Sequence, residues 1–463
     1  MARSNQRANR RLAMLIEESG ASHASLAHRV NELAAGAGVT RSYTHTSISN
    51  WTSRGMIPDP PIPTLLALAL SERLGRTVSL EGMDMAPAAV LDAGSGLTFH
   101  RDTDQALHLA AEYWSTVDRR TFAATPFALT AYSTPVTRWL AVPADPVPFS
   151  ERTSSHPQGR RVGRADLDEL WAASEDARRW DSKYGGGNWR ASMVTDCLTH
   201  RAVPLLQGAF TESVGAELFA ATAELARVAA WHDVDMGQHA TAQRHFVQAL
   251  RLARASADPA VGAYVLSTMA LHTFLRGFPT EAVDMAEGAY ERAKREAPAR
   301  VLAFAKLAQA RAHGLAGDAP GAVAALIHAE QLVDAAETDP RDPGWLAYLT
   351  HARIATDAAE IYRDLKLPDQ SLSWSRRASV MPAGVFSRAV GIRHTVVATA
   401  HLQRRDLEPG LEAGEHALTI LGRLHSTRSR SYLRAFTTAL APWRSRPDVR
   451  DFLHRADLVL TAD

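Results

Sequence analysis

The chain has 463 residues, of which 46% are hydrophobic, and a formal net charge of +1. That length suits roughly two to four domains with substantial cores. Near-neutrality excludes a chain that is basic throughout, so any nucleic-acid surface must be local. No uninterrupted apolar run reaches about 18 residues, so no membrane span is expected.

The single cysteine, Cys197, rules out an internal disulfide and fits a reducing cytoplasm. Lysine occurs only at 183, 294, 306 and 366, so nearly all positive charge is arginine. With abundant alanine, this is the composition expected of a GC-rich, actinobacterial genome. Arg10 and Arg11 precede LAMLIEESG, but Glu17 and Glu18 break the apolar run and no cleavage site follows, so no export signal is expected.

In chain order, Leu12, Leu15 and Ile16 predict a helix over 6–18, stopped at Ser19-Gly20. Ser22 opens a second helix with Leu26, Ala27, Val30 and Leu33 inward; Gly36 and Gly38 stop it. After the polar loop VTRSYT comes THTSISNWTSRG, residues 44–55. Ile48 and Trp51 share one helical face, leaving His45, Thr46, Ser49, Asn50 and Ser53 on a polar outer face. Thr44 or Thr46 can cap its start, and Gly55 can end it. A fourth helix runs through TLLALALSERLG, with Pro63 near its first turn and Gly75 at its end.

Further on, 86–98 reads as a linker. Ala106, Leu109, Ala110, Trp114 and Val117 trace a helical face, and a second apolar run reaches Trp139 and Leu140. Residues 141–161, with four prolines, read as a loop. Leu167, Leu170, Trp171, Ser174 and Ala177 resume helical spacing. The run DSKYGGGNW then reads as an irregular break between helices. It lacks the lysine, the hydroxyl and the preceding strand of a phosphate-binding loop.

The second half repeats. Gly237, Gly277 and Gly317, then Lys366 and Arg405, are each followed by a small residue at five and twelve positions and preceded by alanine at seven. The spacings are 40, 40, 49 and 39, the long one explained by the inserted loop TDPRDPGW, 338–345. Small residues at fixed positions allow two helices to pack closely, and glycine allows the turn between them. The segment 215–425 is therefore expected to be a helical-pair solenoid, with a capping pair up to 463. Its concave groove is lined by the first helix of each pair. Counting back thirteen, ten and six from the first four landmarks and keeping the polar and aromatic positions selects Glu224, Arg227, Trp231, Tyr264, Ser267, Phe304, Arg311, Arg353, Thr356 and Glu360. Arginines among aromatics there suit an anionic or aromatic signal, or a peptide.

Nothing in the chain carries enzyme chemistry: no HExxH, no Walker loop, no nucleophile elbow at DAGSG. His23 and His28 are five apart, the wrong relation for a helical metal pair. No enzyme, metal or cofactor is expected.

Two resemblances follow from these residues. The run Tyr43-Thr44-His45-Thr46-Ser47-Ile48, then Trp51, Gly55 and the proline-flanked fourth helix, resembles the helix-turn-helix domain of phage-repressor-type regulators. It is closest to an actinobacterial branch with a longer loop before the third helix. The resemblance implies base contacts at His45, Thr46 and Asn50, and phosphate contacts at Arg41, Ser47 and Arg54. Tyr43, Ser49 and Ser53 complete the implied surface. The repeats resemble tetratricopeptide repeats, although their period exceeds the usual value of about 34.

The expected protein is all-α: a helix-turn-helix domain at 1–85, a helical middle region at 86–208 and a repeat domain at 209–463. The expected role is a cytoplasmic, homodimeric transcription regulator that binds double-stranded DNA and senses a signal. The alternative is an interaction scaffold whose small first domain docks a partner without specific DNA binding.

Overall fold

The computed structural model describes residues 8–36, 42–58, 62–76, 78, 82–85, 95–116, 127–141, 160–187, 191–378 and 384–461. The fold is all-α. Among the described residues the only β feature is an isolated bridge between Arg161 and Ala209. Contacts divide the chain into two units, Met1–Ala93 and Gly94–Asp463, so the helical middle region groups with the repeats.

The first unit holds α1 (Arg10–Glu18), α2 (His23–Gly36), α3 (His45–Ser53) and α4 (Ile62–Leu74). Thr44 caps α3 in extended backbone, and its N–H donates to Ser47 Oγ at 3.2 Å. The expected stops Gly20, Gly55 and Gly75 all take positive φ, near +62°. Leu12, Leu26, Val30, Ile48 and Leu66 are fully enclosed in one core, with Trp51 4% exposed beside them. Asn9 ties the ends of the unit: its side chain caps α1 at Leu12 N–H and donates to the Met83 carbonyl at 2.8 Å. Residues 37–41, including Gly38 and Arg41, lie outside the described residues.

The second unit begins with α5 (Thr103–Thr116), α6 (Thr130–Ala141) and α7 (Arg164–Tyr184). Then come α8 (Ala191–Cys197), a π-helical turn (Leu198–Ala202) and α9 (Val203–Leu206). Most of the loop at 141–161 and most of the linker at 86–98 lie outside the described residues. The described end of that linker is fastened down. Arg244 and Gln248 donate to the carbonyls of Ser95 and Gly96 at 2.9 and 2.7 Å.

Six helix pairs follow: α10 (Glu212–Asp235) with α11 (His239–Ala255), α12 (Pro259–Leu275) with α13 (Pro279–Ala293), and α14 (Ala299–Ala316) with α15 (Ala319–Ala336). After the insertion come α16 (His351–Asp364) with α17 (Pro368–Arg377), α18 (Ser387–Gln403) with α19 (Leu407–Leu421), and α20 (Thr427–Ala439) with α21 (Pro447–Thr461). The repeat has a direct physical cause. Gly237, Gly277, Gly317, Lys366 and Arg405 all sit at the turn inside a pair with φ between +60° and +88°. The small residues at the packing positions, from Ala230 and Ala242 to Ala398 and Ala417, are fully enclosed.

Lys366 and Arg405 are exposed and hold a left-handed conformation that costs an L-residue roughly 1–2 kcal/mol. Glycine removes that cost but gains entropy in the unfolded chain. Lys366→Gly and Arg405→Gly should each stabilise the unit by up to about 1 kcal/mol in urea denaturation. Unchanged or lower stability in both would contradict the strain at these turns.

Successive first helices pack on one another, and α20 returns to touch α10. The solenoid therefore closes on itself. The triple glycine fills the seam. A Cβ on Gly185 or Gly187 would lie 2.8 Å from the His425 carbonyl, and one on Gly186 2.7 Å from that of His232. Gly187 N–H donates to the His425 carbonyl at 3.0 Å, and Gly186 N–H to Asp235 Oδ2 at 2.9 Å. The break between helices is the point where backbone meets backbone.

Candidate functional site

The polar third helix divides its residues sharply. His45 and Thr46 are exposed at its N-terminal end, and Asn50 is half-buried one turn on. Arg54 is exposed just past its end. Others in the expected set turn to structural duty. Tyr43 is half-buried against Trp51, ring centroids 5.4 Å apart, and both its backbone polar groups are held by the Asn31 side chain at 2.8 Å. Ser47 closes the helix start, as above. Ser53 Oγ donates to the Ser49 carbonyl at 2.6 Å, a local bond that leaves its hydroxyl proton committed. Arg41 lies outside the described residues. Through residue 85 the chain carries nine arginines against seven carboxylates. Several are paired: Arg29 with Glu72 at 2.8 Å, Arg76 with Glu18 at 2.7 Å and Arg11 with Asp84 at 3.4 Å.

The second candidate lies inside the closed solenoid. A cavity of about 560 Å³ is walled by α10, α12, α14, α16, α18 and α20, with α7 across it. Eight of the ten residues selected by the repeat register line it: Arg227, Trp231, Tyr264, Phe304, Arg311, Arg353, Thr356 and Glu360. Two do not. Glu224 lies behind Arg227 and accepts from its Nε and Nη2 at 2.7 Å each. Ser267 is fully enclosed and donates to the Ala263 carbonyl one turn back. Both side chains are held by partners on their own helix instead.

The buried arginines here have anionic or aromatic partners. Arg227 stacks over Tyr264 at 4.4 Å, and the Tyr264 hydroxyl meets that of Tyr348 at 2.9 Å. Arg311 pairs with Glu360 at 2.8 Å and Asp357 at 3.4 Å; Arg353 pairs with Asp357 at 2.9 Å. Tyr432 donates to Glu360. Arg388 grips Asp181 through two bonds and reaches Asp235 at 3.2 Å. Arg428 meets Asp235 at 3.1 Å and covers the Trp231 ring at 5.2 Å. Burial opposes the Asp235 charge, but Arg388 and Arg428 outweigh it and hold the carboxyl below its ordinary range.

Sequence reasoning missed three contributors to this cavity. The insertion at 338–345 read as a mere spacer. Instead, it and the turn after it supply Gly344 and Tyr348 to the wall, and Trp345 stacks on Trp171 of α7. Helix α7 supplies Arg178 and Asp181 from outside the repeat. The last pairs supply Arg388, Arg428 and Tyr432. Counting back thirteen from Arg405 reaches Ile392, which lines the cavity, so the same register extends one repeat further.

Among the described residues, no group of three or more potential metal ligands comes together, and no helix is long and apolar enough to cross a membrane. A family model described as the SP15 N-terminal domain matches residues 12–86. That span falls within the first compact unit. No match to a curated protein was found.

Proposed function

We propose that the protein is a DNA-binding transcription regulator. Its first unit reads DNA through α3, and its second unit responds to a signal in the cavity among the first helices of the repeats. The observation that carries the reading is the division of α3. Ile48 and Trp51 anchor it in the core, while His45 and Thr46 stand exposed at its N-terminal end, where a reading helix meets base edges. Asparagine offers adenine two hydrogen bonds, and histidine and threonine offer one each. Tyr43 and Ser47 support the helix and leave the contact set smaller than the resemblance implied. Dimerisation follows as an expectation, because one such helix reads only a few base pairs; the operator is then an inverted repeat.

One observation favours the scaffold alternative: the pairing of Arg29, Arg76 and Arg11 leaves the first unit only modestly basic. A gel shift of the full chain on its own promoter separates the two. DNA reading predicts a shift that weakens steeply with salt. Asn50→Ala should then lose about 1–3 kcal/mol on the native site with unchanged thermal melting. No shift at low salt, or equal affinity for the variant, would favour the docking role.

A further inference from the structure

The cavity's lining narrows the kind of molecule it accepts. Seven arginines line it, at 178, 179, 227, 311, 353, 388 and 428, against four carboxylates, at 175, 181, 357 and 360. Glu224 and Asp235 add negative charge only from behind the wall. Arg428 is the least compensated. Its carboxylate, Asp235, is shared with Arg388, and burial together with the Arg388 charge pushes its own ionisation down. Beside it, His232 is 4% exposed, and neither ring nitrogen has a hydrogen-bond partner. The nearest carboxylate oxygen, on Asp181, is 4.0 Å from its Nε2. Burial keeps this imidazole below the ordinary histidine range, so it presents one N–H donor and one acceptor. Orphaned buried polar atoms call for an explanation. Here they adjoin a cavity, and a bound molecule would satisfy them.

Aromatic rings also line it, those of Trp231, Tyr264, Phe304, Tyr348, Phe386 and Tyr432. Phe304 and Trp345 each lie 4.9 Å from the Tyr264 ring, and Arg178 lies 4.9 Å from the Tyr348 ring. The volume is that of a site for a compact small molecule.

We propose that the cavity binds a small molecule with one anionic group and a flat, conjugated body: the anion at Arg428, Arg388 and His232, the flat body against Tyr264, Tyr348 and Phe304. This deepens the signal-sensing half of the function proposed above. It makes no use of DNA binding, so the gel shift and the test below fail independently.

Three probes of one shape and different charge test it on the full chain: 2-naphthoate, 2-naphthalenemethanol and 2-naphthylmethylammonium. Calorimetry and tryptophan quenching should give one saturable naphthoate site per chain, at least tenfold tighter than the alcohol, with the ammonium weakest. Arg428→Gln should erase the preference for naphthoate over the alcohol. Asp235 keeps Arg388 and the Gly186 N–H in that variant, so the fold has support. Ala389→Phe fills the cavity from α18 and should abolish binding of all three with native melting retained. No saturable naphthoate binding at about 1 mM, equal affinity for the three probes, or undiminished binding to Ala389→Phe would overturn the proposal. So would displacement of naphthoate by an unstructured heptapeptide of higher affinity, which would make the site a peptide groove.

Discussion

Asp235→Ala should lower the stability of the second unit by about 3–5 kcal/mol, the largest loss expected from one side chain. Asp235 is fully enclosed and bridges two guanidiniums from different helices, Arg388 on α18 and Arg428 on α20. Removing it leaves both arginines crowded together, and an uncompensated buried charge costs about that much. It also strands the Gly186 N–H at the seam. Asp235→Asn keeps an acceptor for that N–H and should lose less. Guanidinium denaturation followed by circular dichroism measures both. Two variants as stable as the parent would mean that the buried ionic cluster does not hold the seam.

Mild acid should act on a different set of groups. His232 and His272 are 4% and 0% exposed, and burial pushes both below the ordinary histidine value; for His272 the neighbouring His239 adds to it. Burial also pushes His239 and His394 to about 4. A histidine whose folded value is depressed stabilises the fold above about pH 6.5 and loses that contribution as the pH falls. The two fully buried imidazoles alone give a slope of up to roughly 3 kcal/mol per pH unit below that point. The buried carboxyls of Asp235 and Glu360 are held below their ordinary range, so their contribution is lost only in stronger acid. Denaturation midpoints should therefore fall steadily from pH 7 to pH 5. A flat profile over that interval would show that these imidazoles take up protons as readily in the folded protein as in the unfolded chain.

The sequence made the repeat unusually legible, because one backbone constraint recurs. A left-handed turn residue followed by small packing residues leaves a fixed spacing. The spacing survives where glycine gives way to Lys366 and Arg405. From that register eight of ten groove positions followed, since helix geometry alone fixes which side of the first helix faces inward. The same reasoning located α3, because Thr44, Ile48, Trp51 and Gly55 each act within one turn of their neighbours. What stayed hidden depends on contacts distant in sequence. Arg388 and Asp181 are 207 residues apart, and nothing local marks them as partners. Tyr43 looked like a surface residue because its partners, Trp51 and Asn31, come from two other segments. The triple glycine was legible as a break, but its purpose appears only once the first and last pairs are seen to meet.

That meeting changes how the unit must come apart. An open array of repeats can lose its terminal pairs one at a time, since each repeat leans only on its neighbours. Here α20 rests on α10, and both ends of the array share the cluster around Asp235. Neither end is free to fray. Parting the two ends exposes the buried charges at the seam, so the first and last pairs are expected to open together rather than independently. Hydrogen exchange should then be as slow in α20 as in α12.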